Sequence, residues 1–139
     1  MDISPTFKLE LWGGNEVLGP IRAWAASTAL TLGADEQAVT DFALAISEAT
    51  SNAVRHAYVE RHQGPLVITA RRVGERIVFR LRDFGRKFDP SAVRVPDIEA
   101  GPNIGGYGIY LMRGVMDNVY YVTEHPRGTE VILIRRCSS

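Results

Sequence analysis

Glu48, Asn52 and His56 follow one another at intervals of four residues within ISEATSNAVRHAY. On an α-helix this spacing brings a carboxylate, a carboxamide and an imidazole onto one face. A carboxylate and an amide so placed can set a base and a hard metal ion beside a phosphate chain. Magnesium suits such a site because it prefers oxygen ligands and takes few of them from protein. The competing reading is a solvated polar stripe. Alanines at 43, 45, 49, 53 and 57 weigh against it, because an outward face usually carries more Lys and Glu.

Three further stretches invite the same question. In RDFGRKFDP, Asp83 stands at a strand end with Gly85 two residues later. Its carboxylate could accept a hydrogen bond from a base amino group while backbone packs against the ring, or the pair could be plain turn chemistry. The triplet Asp83-Phe84-Gly85 also occurs in protein kinases, but the chain lacks their HRD loop and is about half the size such a catalytic core needs. In Gly101-Pro-Asn-Ile-Gly105-Gly106-Tyr107-Gly108, glycines precede a helix, which lets backbone N–H groups approach phosphate oxygens. A flexible loop leading into a helix is the alternative. No Gly-Lys-Ser/Thr occurs, and the glycine spacing is not that of a dinucleotide fold. Gly128-Thr129, alone, is a turn.

The elements that must position these residues follow from periodicity. Phe7, Leu9 and Leu11 alternate with Lys8, Glu10 and Trp12, a half-buried strand. Asn15 is a candidate cap for a helix over 16–32, with Pro20 in the first turn and Gly33 as its stop. Asp35 is expected to cap a second helix reaching Tyr58, with Val39, Phe42, Ile46, Ala49 and Ala53 as its apolar stripe. Strands are expected at 66–73 and 76–82, joined by a turn at Gly74-Glu75. Residues 84–106 read as a long loop, uncommon in a compact domain unless it works as a lid or binding segment. A helix over 107–117 presents Ile109, Met112 and Met116 on one side, and strands over 119–124 and 129–136 complete the chain. The fold class is α+β: a two-layer sandwich, with a mixed, mostly antiparallel sheet of about five strands covered on one face by about three helices.

Bulk properties narrow the classes. The 139 residues fit one domain, 45% hydrophobic, which suffices for a core without staples. Net charge is zero, so neither nucleic acid nor an anionic membrane is an expected partner. The single cysteine fits a reducing compartment. The start MDISPTFKLE lacks a basic stretch followed by an apolar one, and no apolar run approaches a membrane span. A cytoplasmic protein is expected.

Order and spacing together carry more than any one stretch. EATSNAVRHAY resembles the N-box, RDFGRKFDP the first glycine box, GGYGIYLMRGVMDNVYY the second and Gly128-Thr129 the third of the non-P-loop ATP-binding fold of gyrase, histidine kinases and mismatch-repair ATPases. More narrowly, the chain resembles the small anti-sigma-factor serine/threonine kinases, which are that fold and little else. The DFGRKFDP form of the first glycine box, unlike the DxGxG of histidine kinases, favours this branch.

The resemblance implies an ATP- and Mg²⁺-dependent kinase that phosphorylates a small antagonist (anti-anti-sigma) protein and alternately holds a sigma factor or another regulator, in a partner switch. It implies that Glu48 is the general base and Asn52 the magnesium ligand. Asp83 would read the adenine amino group, Gly85 would pack beside the ring, and Thr129 would support Asp83. Phe88 of the same box and Ile109 join the ATP-binding set. Gly105, Gly106, Tyr107 and Gly108 fall in the lid and helix entry that hold the phosphates, and His56 is structural or near the phosphates. The family precedent of a homodimer could use Trp12. Two other outcomes stay open: a non-catalytic nucleotide-binding module that sequesters a regulator, and the detached ATPase part of a histidine kinase.

Overall fold

The structure, a computed structural model, describes residues 4–87 and 104–138, with only the backbone of residues 104–108. Strand β1 (Thr6–Gly13) carries the alternation expected of it: Phe7, Leu9 and Leu11 turn inward and Lys8, Glu10 and Trp12 outward. Helix α1 (Leu18–Thr31) follows a single 3₁₀ turn over Asn15–Val17. Asn15 does not cap α1; instead the Glu16 carboxylate accepts from the Gly14 N–H at 2.9 Å, spending the first polar side chain on the glycine pair. Pro20 lies in the first turn of α1, where its missing N–H removes no helical bond. Gly33, at φ +98°, ends it.

Helix α2 (Glu36–Asn52) is capped by Asp35, whose Oδ1 accepts from the Ala38 N–H at 2.8 Å. Its stripe of Ala38, Phe42, Ala45, Ile46 and Ala49 is buried. The regular helix does not run to Tyr58 as the spacing suggests. It widens at Ala53–Ala57 into a π-helical turn, a device common at functional sites.

Strands β2 (Gly64–Val73) and β3 (Arg76–Asp83) form the expected hairpin across Gly74-Glu75. Helix α3 (Ile104–Val115) precedes β4 (Asn118–Val122) and β5 (Glu130–Arg136). Helix α3 starts three residues earlier than its glycines suggest. Gly105, Gly106 and Gly108 are poor helix formers, so propensity alone places its start too late.

Among the described residues five strands lie in the order β1-β2-β3-β5-β4, and every pairing there is antiparallel, with none of the parallel pairs of a mixed sheet. The helices cover one face. Their contact with the sheet is a continuous core in which Phe42 lies 4.9 Å from Phe79, centroid to centroid, and Trp24 meets Phe79 edge-on at 6.2 Å. Ile109, Met112 and Met116 of the α3 segment close one side of it.

Among the described residues, one ion pair lies within this layer. Arg135 of β5 donates through Nε to Asp41 Oδ2 of α2 at 2.9 Å, and Gln37 donates to the other carboxylate oxygen at 2.9 Å. It fixes α2 against the far end of the sheet from the site described next.

Candidate functional site

The end of α2 and its π-helical turn face the C-terminal end of β3 and the N-terminal end of β5 across a cleft. Ala49, Asn52, Ala53, His56 and Ala57 line one wall; Leu81, Asp83, Thr129, Val131 and Tyr121 line the other. The small alanines keep the helical wall low and leave room between helix and sheet.

Asp83 is the last residue of β3, and it is placed there by the adjacency of β3 and β5. Its N–H donates to the Thr129 carbonyl at 2.9 Å, and its Oδ1 accepts from Thr129 N and Gly85 N, both at 3.2 Å. Burial pushes its pKa above the usual aspartate value; the two N–H bonds and the Arg82 charge only partly oppose this. A half-desolvated carboxylate held by two backbone donors retains acceptor capacity for a ligand amine. Thr129 is equally buried, and Gly128 reaches it at φ +74°. Gly85 packs against the helix exit: a Cβ there would fall 2.6 Å from the Ala57 carbonyl carbon and 2.8 Å from the Tyr58 ring. Only glycine allows that approach.

On the opposite wall, Asn52 is half-buried, and its Oδ1 accepts from Arg55 Nη2 at 3.2 Å. One carboxamide oxygen with a lone pair left over suits magnesium, which takes most of its ligands from phosphate and water. His56 lines the cleft from the π-helical turn. Partial desolvation first, then the Arg55 and Arg86 charges, hold its pKa below the usual histidine value, so the ring is neutral near pH 7.

Glu48 stands apart from this group. It is half-buried and lines an open groove between α1 and α2, beside Ser47 and Arg22; Arg22 Nη2 donates to Ser47 Oγ at 3.0 Å. Four residues turn a helix by about 400°, so Glu48 and Asn52 differ in direction by only about 40°. Glu48 lines the groove and is not among the described residues lining the cleft.

The remaining sequence-derived residues divide. The backbone of Gly105, Gly106, Tyr107 and Gly108 forms the first turns of α3, not a loop before it. Ile109 is a core residue, 2% exposed, and is not among the described residues lining the cleft. Phe88 and residues 89–103 of the segment expected to act as a lid over about 89–106 lie outside the described residues.

Tyr121 is a cleft residue that spacing alone did not single out. Burial pushes its phenol up to about 12, with Arg113 opposing. The alternation in VYYVTE was its only signal: it sets Tyr121 on the same face as Val119, opposite Tyr120.

The family profile described as "Histidine kinase-like ATPase domain" matches residues 12–135. The serine-protein kinase RsbW of Bacillus subtilis is 32% identical over 114 residues, covering 75% of this chain and 69% of its own. The RsbW of Oceanobacillus iheyensis is 29% identical over 114 residues, 75% of this chain and 70% of its own. The anti-sigma F factor of Clostridium acetobutylicum is 28% identical over 122 residues, 83% of this chain and 82% of its own.

Proposed function

Because the chain belongs to the histidine kinase-like ATPase family, in its branch of anti-sigma-factor kinases, we propose that it is an ATP-dependent serine protein kinase. Its acceptor is a small antagonist protein, and its second partner, exclusive of the first, is a sigma factor or comparable regulator. The observation that carries this reading is the convergence of Asn52, His56, Asp83 and Thr129 on one cleft, with Glu48 about one helical turn from Asn52.

The assignment of parts follows from chemistry. Asp83 accepts a hydrogen bond from the exocyclic amine of adenine, while the Thr129 and Gly85 N–H groups both donate to its Oδ1 and hold the carboxylate in place. Asn52 Oδ1 faces the phosphate chain. Magnesium, held there and by phosphate oxygens, would offset the charge that develops between the β- and γ-phosphates. Glu48 removes the proton of an incoming serine hydroxyl; the freed oxygen bonds to the γ-phosphorus as the bond to the β–γ bridging oxygen breaks, and ADP leaves. General-base assistance of this kind is typically worth about 10² to 10⁴ in rate. The groove between α1 and α2 gives the hydroxyl an approach that does not cross the base-binding end.

The test is direct. The protein is incubated with radiolabelled ATP and candidate antagonists, and the product is treated with acid: phosphoserine survives and phosphohistidine does not. Glu48→Gln is expected to bind ATP as the parent does and to transfer no phosphate. Transfer at the parental rate by that variant defeats the assignment of the base. Binding of ATP with no transfer to any partner leaves a nucleotide-gated binding protein instead of a kinase.

A further inference from the structure

Three successive backbone N–H groups of the bend after β3 have acceptors. Phe84 N–H donates to Tyr58 Oη at 2.8 Å, Gly85 N–H to Asp83 Oδ1 at 3.2 Å and Arg86 N–H to the Ala57 carbonyl at 2.8 Å. Two of those acceptors come from the exit of the π-helical turn, on the opposite wall of the cleft. Tyr58 does more than accept. Its hydroxyl donates to the Pro65 carbonyl at 2.6 Å, which ties the start of β2 into the same knot. Its ring fills the space left by two glycines: a Cβ on Gly64 would come within 2.5 Å of it, and one on Gly85 within 2.8 Å. Donor and acceptor capacities of the phenol are both used, and each glycine next to the ring is small because the ring is there.

We propose that Tyr58 is a positioning residue for nucleobase recognition: it latches the Phe84-Gly85 bend to the helix exit and so sets where the Asp83 carboxylate meets the base. This rests on the nucleotide reading given above. Tyr58 does not line the cleft itself; it acts through Phe84, Gly85 and Asp83. Burial raises the phenol's pKa, with the Phe84 N–H bond opposing, so the hydroxyl keeps the proton it donates to Pro65 across the neutral range. A latch of this kind bears on discrimination between bases more than on total stability. ITP, which replaces the 6-amino group by a carbonyl, presents an acceptor at position 6 and carries its donor one ring atom away at N1, so it gains less from the placement of Asp83 that suits adenine.

The experiment compares the affinities of ATP and ITP, by calorimetry with magnesium present, in the parent and in Tyr58→Phe. The variant loses one oxygen and keeps the ring against both glycines. The ratio of ATP to ITP affinity is expected to fall about three- to tenfold, the worth of one modest hydrogen bond, with ITP affinity unchanged within about twofold. Hydrogen exchange at the Phe84 amide should accelerate at the same time. A purely structural role would lower the unfolding midpoint and leave the ratio alone; an unchanged ratio in a folded Tyr58→Phe overturns the inference. Should that variant unfold, Phe84→Pro removes the donor from the other side and is compatible with the extended backbone of Asp83 before it. It must lower the ratio likewise, and an unchanged ratio there overturns the inference too. A parent protein with no preference for ATP over ITP defeats the adenine assignment of Asp83, and this inference with it. A parent with the preference, joined to an insensitive Tyr58→Phe, defeats this inference alone.

Discussion

Replacing Gly128 by alanine tests how tightly the base-reading end of the cleft is built. Two separable costs are expected. Gly128 sits at φ +74°, in the left-handed region, where a side chain costs about 1–2 kcal/mol. A Cβ there would also lie 2.7 Å from both the carbonyl carbon and Oδ1 of Asp83, and nearer still to its carbonyl oxygen, against 3.4–4 Å for an ordinary contact. Asp83 is held at strand end by Thr129 and cannot give way freely, so the overlap adds about 1–3 kcal/mol, as overpacking does elsewhere. The total is about 2–5 kcal/mol. Gly74 supplies the control. It has φ +61° in the β2–β3 turn and nothing within 4 Å of its would-be Cβ, so Gly74→Ala should show the first cost alone. Chemical denaturation of both variants, with ATP calorimetry, separates the terms. Gly128→Ala should be the less stable by at least about 1 kcal/mol. It should lose on the order of tenfold or more in ATP affinity, because the carboxylate has moved by a good fraction of an ångström. Gly74→Ala should bind ATP normally. Equal destabilisation by the two, or parental ATP binding by Gly128→Ala, would refute the packing argument.

Other expectations follow from the same geometry. Arg135→Met leaves Asp41 buried without its cation and should cost about 3–5 kcal/mol in denaturation, whereas Asp41→Leu combined with Arg135→Met should recover most of it. Because burial raises the pKa of Asp83, its ionised form is disfavoured in the fold: the apoprotein gives up stability as pH rises through the ordinary aspartate range to the raised value. Conversely, the carboxylate picks up its proton sooner on acidification. ATP affinity should therefore begin to fall above the ordinary aspartate range, a dependence calorimetry should find missing in Asp83→Asn. His56 has the opposite sign of linkage. Its folded pKa is depressed, so its contribution is present above the unfolded value and lost as pH falls, and His56→Gln should flatten the stability–pH curve there. Gly114→Ala, in the last turn of α3 with open space around it, should raise stability by about 0.5–1 kcal/mol, read as a higher denaturation midpoint.

The local signals in the sequence were good guides where one side chain decides the matter. Asp35 as a cap, Gly33 as a stop and the alternation of Phe7, Leu9 and Leu11 all act within a few residues, and all appear in the fold. Two local expectations lost to equally local competitors. Glu16 bonded the Gly14 N–H, so α1 began without Asn15 as its cap, and three glycines hid the start of α3. Glu48 and Asn52 looked equivalent by spacing, yet the packing of α1 against α2 gives Glu48 a groove of its own. What no spacing rule could supply was partnership at a distance. Asp41 meets Arg135 across 94 residues, Thr129 meets Asp83 across 46 and Phe84 meets Tyr58 across 26. These pairs exist only after the sheet has assembled in its own strand order.

The widened turn at Ala53–Ala57 takes up one residue more than an α turn would. Deleting a single residue there would let the helix run on in ordinary α geometry, a gain in local regularity. Because an i→i+5 turn holds one residue more than an α turn, the later side chains would keep roughly their present directions, and the phenol at 58 would stay near its glycine-lined seat. The change would fall on the turn itself, whose Ala53, His56 and Ala57 line the cleft, so a shortened protein could melt later and still lose the shape of that one wall.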